Sequence, residues 1–398
     1  MVSNTLASLM RSEEGAVINA KVPLVWTGFF FACFGIFMLV NPFAFLSQYS
    51  IKFSNINQAD KMMVASVIQN WGIWNMLMLG FCSIACRVGS ERTRMHINFA
   101  NAVSFLINTS LVLAGFSTFE RLGCSKGGLI FNICLTAFTA VLSGLGAGFS
   151  FKLPPYKNSI YWGPCVMVVV GFAYSCLFLL IPEQLLNSYH VPVTMLDSEV
   201  RDLLLSCFKY GWSGLFFQMS AMLLAGMMHL DLMYVYVVNR WIAMIETGVV
   251  LASVTNVAWW TTKNADGEFT KFIVGQWCNV CMSFAFFLLT YAPTIMLDTQ
   301  LAQSVKQAIG GQLEGAPALL SGVSNTSASL LRSEEGAVIN AKVPLVWTGL
   351  VLASFGTFML VNPFAFLSQY SIKFSNINQT DKMMIANVIQ TWGIWNML

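Results

Sequence analysis

VPLVWTGFFFACFGIFMLVNPFAFL, Val22 to Leu46, has no charged side chain along its whole length. A helix needs roughly 20 apolar residues to cross a bilayer core of about 30 Å, so this segment is long enough to span. It returns, lightly altered, as Val343 to Leu367. In hydrocarbon every backbone N–H and C=O must be paired within the protein, and no short alternating strands are present, so a helix is the expected form. Seven more windows of this kind follow the first: Met62 to Cys86, Ile97 to Phe119, Gly127 to Phe149, Ile160 to Ile181, Leu203 to Met228, Trp241 to Trp260 and Phe272 to Ile295. Another span begins near Met383.

Composition agrees. Of the 398 residues 56% are hydrophobic and only 10% charged, against roughly 25% charged in a soluble domain. A soluble enzyme is excluded, and so is a disordered chain. The 21 basic and 18 acidic residues are spread through the loops without a run of like charge, which leaves no basis for nucleic-acid binding. The expected class is all-α, a polytopic integral membrane protein whose first partner is the lipid bilayer.

The recurrence of the opening segment is part of a longer one. Val2 to Leu77 aligns without gaps on Val323 to Leu398, and 65 of the 76 positions are identical, polar loops included. Helix physics alone would not preserve loops, so the repeat is read as a recent tandem duplication whose second copy is truncated. A fainter repeat lies inside the unit. Pro42-x3-Leu46-x2-Tyr49 is echoed by Pro182-x3-Leu186-x2-Tyr189, and Asn132-Ile133-Cys134 is echoed, at a similar spacing, by Asn279-Val280-Cys281. These echoes divide the chain into a four-helix half, 1–152, a second four-helix half, 153–297, a polar linker, 298–342, and the start of another copy, 343–398. Four spans return the chain to its starting side, so the halves are expected to be parallel repeats, with eight helices per unit. The linker is rich in Gly, Ser and Ala, is expected to hold a short surface helix, and offers Ala316-Pro317-Ala318 as a processing site.

Glu246, in RWIAMIETGVVLASV, is the most informative residue within a span. An intramembrane carboxyl is a functional hypothesis by default. It can bind a cation, carry a proton or ligate a pigment magnesium, or it can pair with Arg240 near the interface. The corresponding helix of the first half has no acid. His96, Asn98, Asn101, Asn132 and Asn279 complete the set of candidate substrate- or pigment-binding residues, with interhelical hydrogen bonding as the competing use of the amides. No His, Cys or carboxylate spacing suits a transition metal. Cys278-x-x-Cys281 and most other cysteines are expected to act as small buried hydrophobes. Trp71, Trp74, Trp162, Trp212, Trp241, Trp259 and Trp260 gather toward span ends, as an interfacial belt requires. No nucleotide, protease, esterase or ion-filter motif occurs, and no catalytic residue is assigned.

Two resemblances bear on function. With its first span ending in Pro42-x3-Leu46, its loop acid Asp60 and the Trp71-Gly72 pair in its second span, each half resembles the small four-helix modules of DoxX-like families. That resemblance implies a redox-associated membrane subunit, although no quinone or thiol motif is present to carry it. The near-identical tandem units look like the nuclear-encoded polyproteins of algae with complex plastids, which implies a plastid membrane and, as cofactors, chlorophyll or carotenoid. The paired Glu and Arg of light-harvesting helices are missing. The expectation is therefore a non-catalytic accessory or scaffold subunit, associated with other membrane-complex subunits and able to hold lipid or pigment. The alternative is a small-molecule transporter or channel with its path between the halves.

Overall fold

The computed structural model describes residues 16–47, 58–148, 159–188, 198–228, 231–264, 267 and 270–312. Contacts group the chain into Met1–Leu297 and Asp298–Leu398, and the account below concerns the first unit. The two spans expected beyond residue 342 lie outside the described residues, as does the proposed processing site.

Every described element is helical: α1 Lys21–Val40, α2 Pro42–Ser47, α3 Gln58–Val88, α4 Glu91–Arg121, α5 Lys126–Leu145, a 3-10 turn Ser159–Tyr161, α6 Trp162–Leu180, α7 Pro182–Ser188, α8 Ser198–Cys207, a π-helical turn Phe208–Trp212, α9 Ser213–Met227, α10 Leu232–Lys263 and α11 Thr270–Gln312. Seven of the helices are long and apolar enough to cross a membrane, and the chain is an integral membrane protein. The sixth expected span, Leu203 to Met228, is not one regular helix, because the π turn divides it into α8 and α9. The helix expected in the linker is, as far as Gln312, a continuation of α11.

The first span is shorter than its apolar run. Asn41 N–H still donates to Phe37 O at 3.0 Å, but Pro42 has no N–H with which to extend the helix. The Asn41 side chain then caps α2 by accepting from Ala44 N–H at 2.9 Å, with Pro42 at the first helical position. At Ile181 the same break recurs, with its N–H on Leu177 O at 2.9 Å and Pro182 opening α7.

This correspondence extends into the packing. The buried positions of α1, from Pro23 to Met38, recur one for one and at constant spacing in α6, from Gly163 to Phe178. α1 lies along α3 and α6 along α9, while α4 packs on α9 and α10 on α3. Where α1 crosses α3, Gly35 faces Gly72 so closely that a Cβ on Gly72 would lie 2.9 Å from the Gly35 carbonyl oxygen. At the matching crossing, Ser175 Oγ donates to Ser213 O at 2.7 Å. Asn98 Nδ2 donates to Ala20 O at 2.8 Å, and Asn239 Nδ2 donates to Ile160 O at 2.7 Å.

The match is not in perfect step. The interval from Gly72 to Ser213, and from Asn98 to Asn239, is one position longer than that from Ala20 to Ile160 or from Gln58 to Ser198. The later stretch is therefore one residue longer between these points, and the π turn Phe208–Trp212 lies between them. A π turn is the form an α-helix takes when it absorbs a single extra residue.

Asp231 ties the halves together. It caps α10 through Tyr234 N–H at 3.2 Å, and its other oxygen accepts from Ser90 N–H at 2.7 Å at the start of α4. Trp241 makes a second tie: its indole N–H donates to Leu77 O at 3.0 Å, and Gly80 leaves the room in which that ring lies. Trp241, Trp212 and Trp260 are accordingly buried in the bundle and do not form part of an interfacial belt, whereas Trp162 is exposed. The cysteines also divide differently from expectation. Cys82, Cys124 and Cys207 are buried, but Cys33, Cys134, Cys176, Cys278 and Cys281 lie on the outer surface, where the surrounding lipid is as apolar as a core.

Candidate functional site

Each half encloses a cavity, and each cavity borrows one wall from the other half. The first, of about 150 Å³, is formed by α1 to α5 with Tyr210 and Gly211 of the π turn and Gln218 of α9. The second, of about 220 Å³, is formed by α6, α8 to α11 and the Ser66, Asn70 and Trp74 face of α3. The π turn serves both, since Phe208 and Trp212 face the second cavity.

The first cavity is dominated by phenylalanine, including Phe30, Phe31, Phe34, Phe105 and Phe119. Its amides are engaged with one another or with the backbone. Asn108 Nδ2 donates to Gln218 Oε1 at 3.0 Å, Gln218 Nε2 donates to Asn101 Oδ1 at 3.3 Å, and Asn75 Nδ2 donates to Trp71 O at 3.1 Å. Cys124, in the turn between α4 and α5, closes part of the wall; burial pushes its thiol up to about 11, which keeps it protonated and unreactive at neutral pH.

The second cavity differs in one residue above all. The interval that pairs Asn98 with Asn239 also pairs Phe105 with Glu246, and Glu246 lines the second cavity as Phe105 lines the first. It is 1% exposed, and its one hydrogen-bonding neighbour among the described residues is the Ser283 hydroxyl of α11. The Trp212 indole N–H on the same cavity is without an acceptor among the described residues. The described lining contains no Lys, Arg or His. The pairing with Arg240 considered from the sequence does not form; that guanidinium lies over the Tyr236 ring, 4.9 Å from its centroid. Glu246 is also deeper than expected, because α10 begins at Leu232, which places the residue about 21 Å along the helix at roughly 1.5 Å per residue.

The other candidates separate by role. Asn279 lines the second cavity and Asn132 the first. Asn98 bridges helices, donating to Gly146 O at 3.1 Å as well as to Ala20 O, and Asn101 lies in the α4–α9 amide chain, so both serve as interhelical links. His96 is buried near the start of α4 and lines neither cavity. Ser66, Asn70 and Ser283 are not singled out from the sequence, and Trp212 is read there only as part of an interfacial belt. Ser66 and Asn70 were within reach, since polar residues four apart on an apolar helix share a face; Trp212 and Ser283 carry no such signal.

Comparison with family models, with curated proteins and with solved structures returns no match.

Proposed function

We propose that the unit is a non-catalytic small-molecule carrier, built from two parallel four-helix halves, with the second cavity as its binding chamber. The observation that carries this reading is Glu246, a buried carboxyl whose one hydrogen-bonding neighbour among the described residues is the Ser283 hydroxyl, lining a cavity that has no cation of its own there. A bare carboxylate in such surroundings is costly, so the arrangement calls for an occupant that brings a proton or a positive charge. The matched breaks at Asn41 and Ile181, the matched burial of α1 and α6, and the paired Asn98 and Asn239 bonds support the parallel duplication.

The test is uptake into proteoliposomes. Glu246→Gln, which keeps the shape and removes the charge, is expected to abolish uptake while leaving assembly and melting temperature near wild type. Normal uptake by this variant would discard the reading.

A second reading, an accessory subunit that holds lipid, chlorophyll or carotenoid, draws on the phenylalanine-rich first cavity. On that reading the chain is a plastid polyprotein cut within 298–342. Purification in mild detergent followed by absorbance and intact mass tests it. Pigment bands comigrating with a cleaved unit clearly smaller than the 44.0 kDa of the whole chain would favour it over the carrier.

A further inference from the structure

We infer that the second cavity is built for an organic ammonium ion, held by Glu246 and an aromatic wall; this rests on the chamber reading above and specifies its occupant. The wall is continuous. The Trp212 ring lies 5.8 Å from Phe216, Phe216 lies 5.8 Å from Tyr174 and 5.6 Å from Trp74, and Phe178 stacks on Phe208 at 5.1 Å. All six rings line the cavity, and they come from α3, α6, the π turn and α9. The carboxyl comes from α10, and its neighbour Ser283, with Asn279 of the same lining, comes from α11.

Each component narrows the choice of occupant. A single carboxylate without an internal cation selects a positively charged guest. Side-chain oxygens also line the cavity, on Asn70, Asn256, Gln276, Asn279 and Ser283 among others, so a small inorganic cation, which requires about six oxygen ligands, is the competitor that the sodium titration tests; the connected rings are what favour an organic one. An ammonium bearing alkyl groups suits both parts: its charge attracts the carboxylate, its weakly hydrated methyl or methylene surface is favoured by aromatic faces, and cation–π attraction adds to both. The volume of about 220 Å³ is roughly that of seven water molecules at ~30 Å³ each, the scale of a choline-sized cation. The first cavity is the internal control. It has the same frame and a comparable number of rings, but Phe105 stands in place of the carboxyl and its amides are engaged with one another.

The full chain, reconstituted in nanodiscs, would be titrated by calorimetry and tryptophan fluorescence with choline, with its uncharged isostere 3,3-dimethylbutanol, and with sodium chloride alone. Saturable choline binding is expected. The isostere should bind at least tenfold more weakly, sodium should not displace choline at equal concentration, and Glu246→Gln should weaken choline binding at least tenfold without lowering the melting temperature. Phe178→Leu, which removes one ring face and keeps an apolar side chain, should weaken choline binding more than it weakens binding of the isostere. Equal binding of choline and the isostere, or choline binding unaffected by Glu246→Gln, would overturn the ammonium assignment. In that event Glu246-dependent uptake of an uncharged solute would leave the chamber reading standing, and its absence would remove that reading as well.

Discussion

The two cavities share a frame and differ in how they are lined. In both, an apolar helix stopped by Asn-Pro or Ile-Pro packs along a second helix, an asparagine ties the third helix to the chain just ahead of the first, and a wall is borrowed from the other half. One interior is lined by Phe105 beside an amide chain; the other carries Glu246 beside the Ser283 hydroxyl, with no Lys, Arg or His in the described lining. The difference teaches that the frame does not depend on the carboxyl. A carboxyl stands at only one of the two matched places, which is the asymmetry the proposed ammonium site rests on.

The comparison can be broken most forcefully by exchanging the two residues. Phe105→Glu puts an unpaired carboxyl among phenylalanines and is expected to destabilise the bundle by about 2.5–3.5 kcal/mol or more, on the scale of an acid at a helix centre in a membrane. Glu246→Phe should assemble with a melting temperature at or above wild type and lose ligand binding. Thermal melts in detergent read both, and a stable Phe105→Glu protein would mean that the first cavity is as polar as the second.

Gly80→Ala is next in size. Its Cβ would overlap the Trp241 ring, and overpacking of this kind costs about 1–3 kcal/mol. The matching residue, Ala221, already carries a Cβ, so Ala221→Gly is expected to cost only about 0.5–1 kcal/mol. Equal melting shifts for the two variants would deny that Trp241 sets the approach of α3 and α10.

Smaller still is the asparagine pair. Asn98 makes two interhelical bonds and Asn239 one to the chain ahead of α6. At about 0.6 kcal/mol per bond, Asn98→Ala should lower stability about twice as much as Asn239→Ala, measured by unfolding in mixed micelles. The smallest effect is expected from Ser66→Asn with Asn70→Thr, the residues that the later copy carries as Asn387 and Thr391. Both original residues line only the second cavity. Stability should stay within about 0.5 kcal/mol while ligand preference in the binding titration shifts; an unchanged ligand profile would separate this face of α3 from the chamber.

Much of the frame was legible in the chain itself. Apolar run length identifies spans because a bilayer imposes a minimum length, proline marks where a helix cannot continue, and an acid inside an apolar run stands out because burial of charge is expensive. Those rules found seven apolar spans, the echo of Pro42 in Pro182, and Glu246; they ran the first span through Pro42 to Leu46, although its helix stops at Val40. They could not find the division of Leu203 to Met228, because one extra residue leaves hydropathy unchanged while altering helical phase. They also could not sort the asparagines. Asn98, Asn101, Asn132 and Asn279 are chemically alike, and only the direction each faces separates a helix link from a cavity wall.

Sequence alone determined the membrane class, the helical form and the presence of repeated segments, since these follow from local chemistry and from matching residues along one chain. Tertiary structure alone decided that each cavity takes a wall from the opposite half, that Trp241 and Trp212 lie inside, and that Glu246 meets an aromatic wall where Phe105 meets phenylalanine. The reason is physical. Bilayer insertion is governed by the apolar content of one helix at a time, whereas a site exists only where side chains from several helices, far apart in sequence, converge on one space.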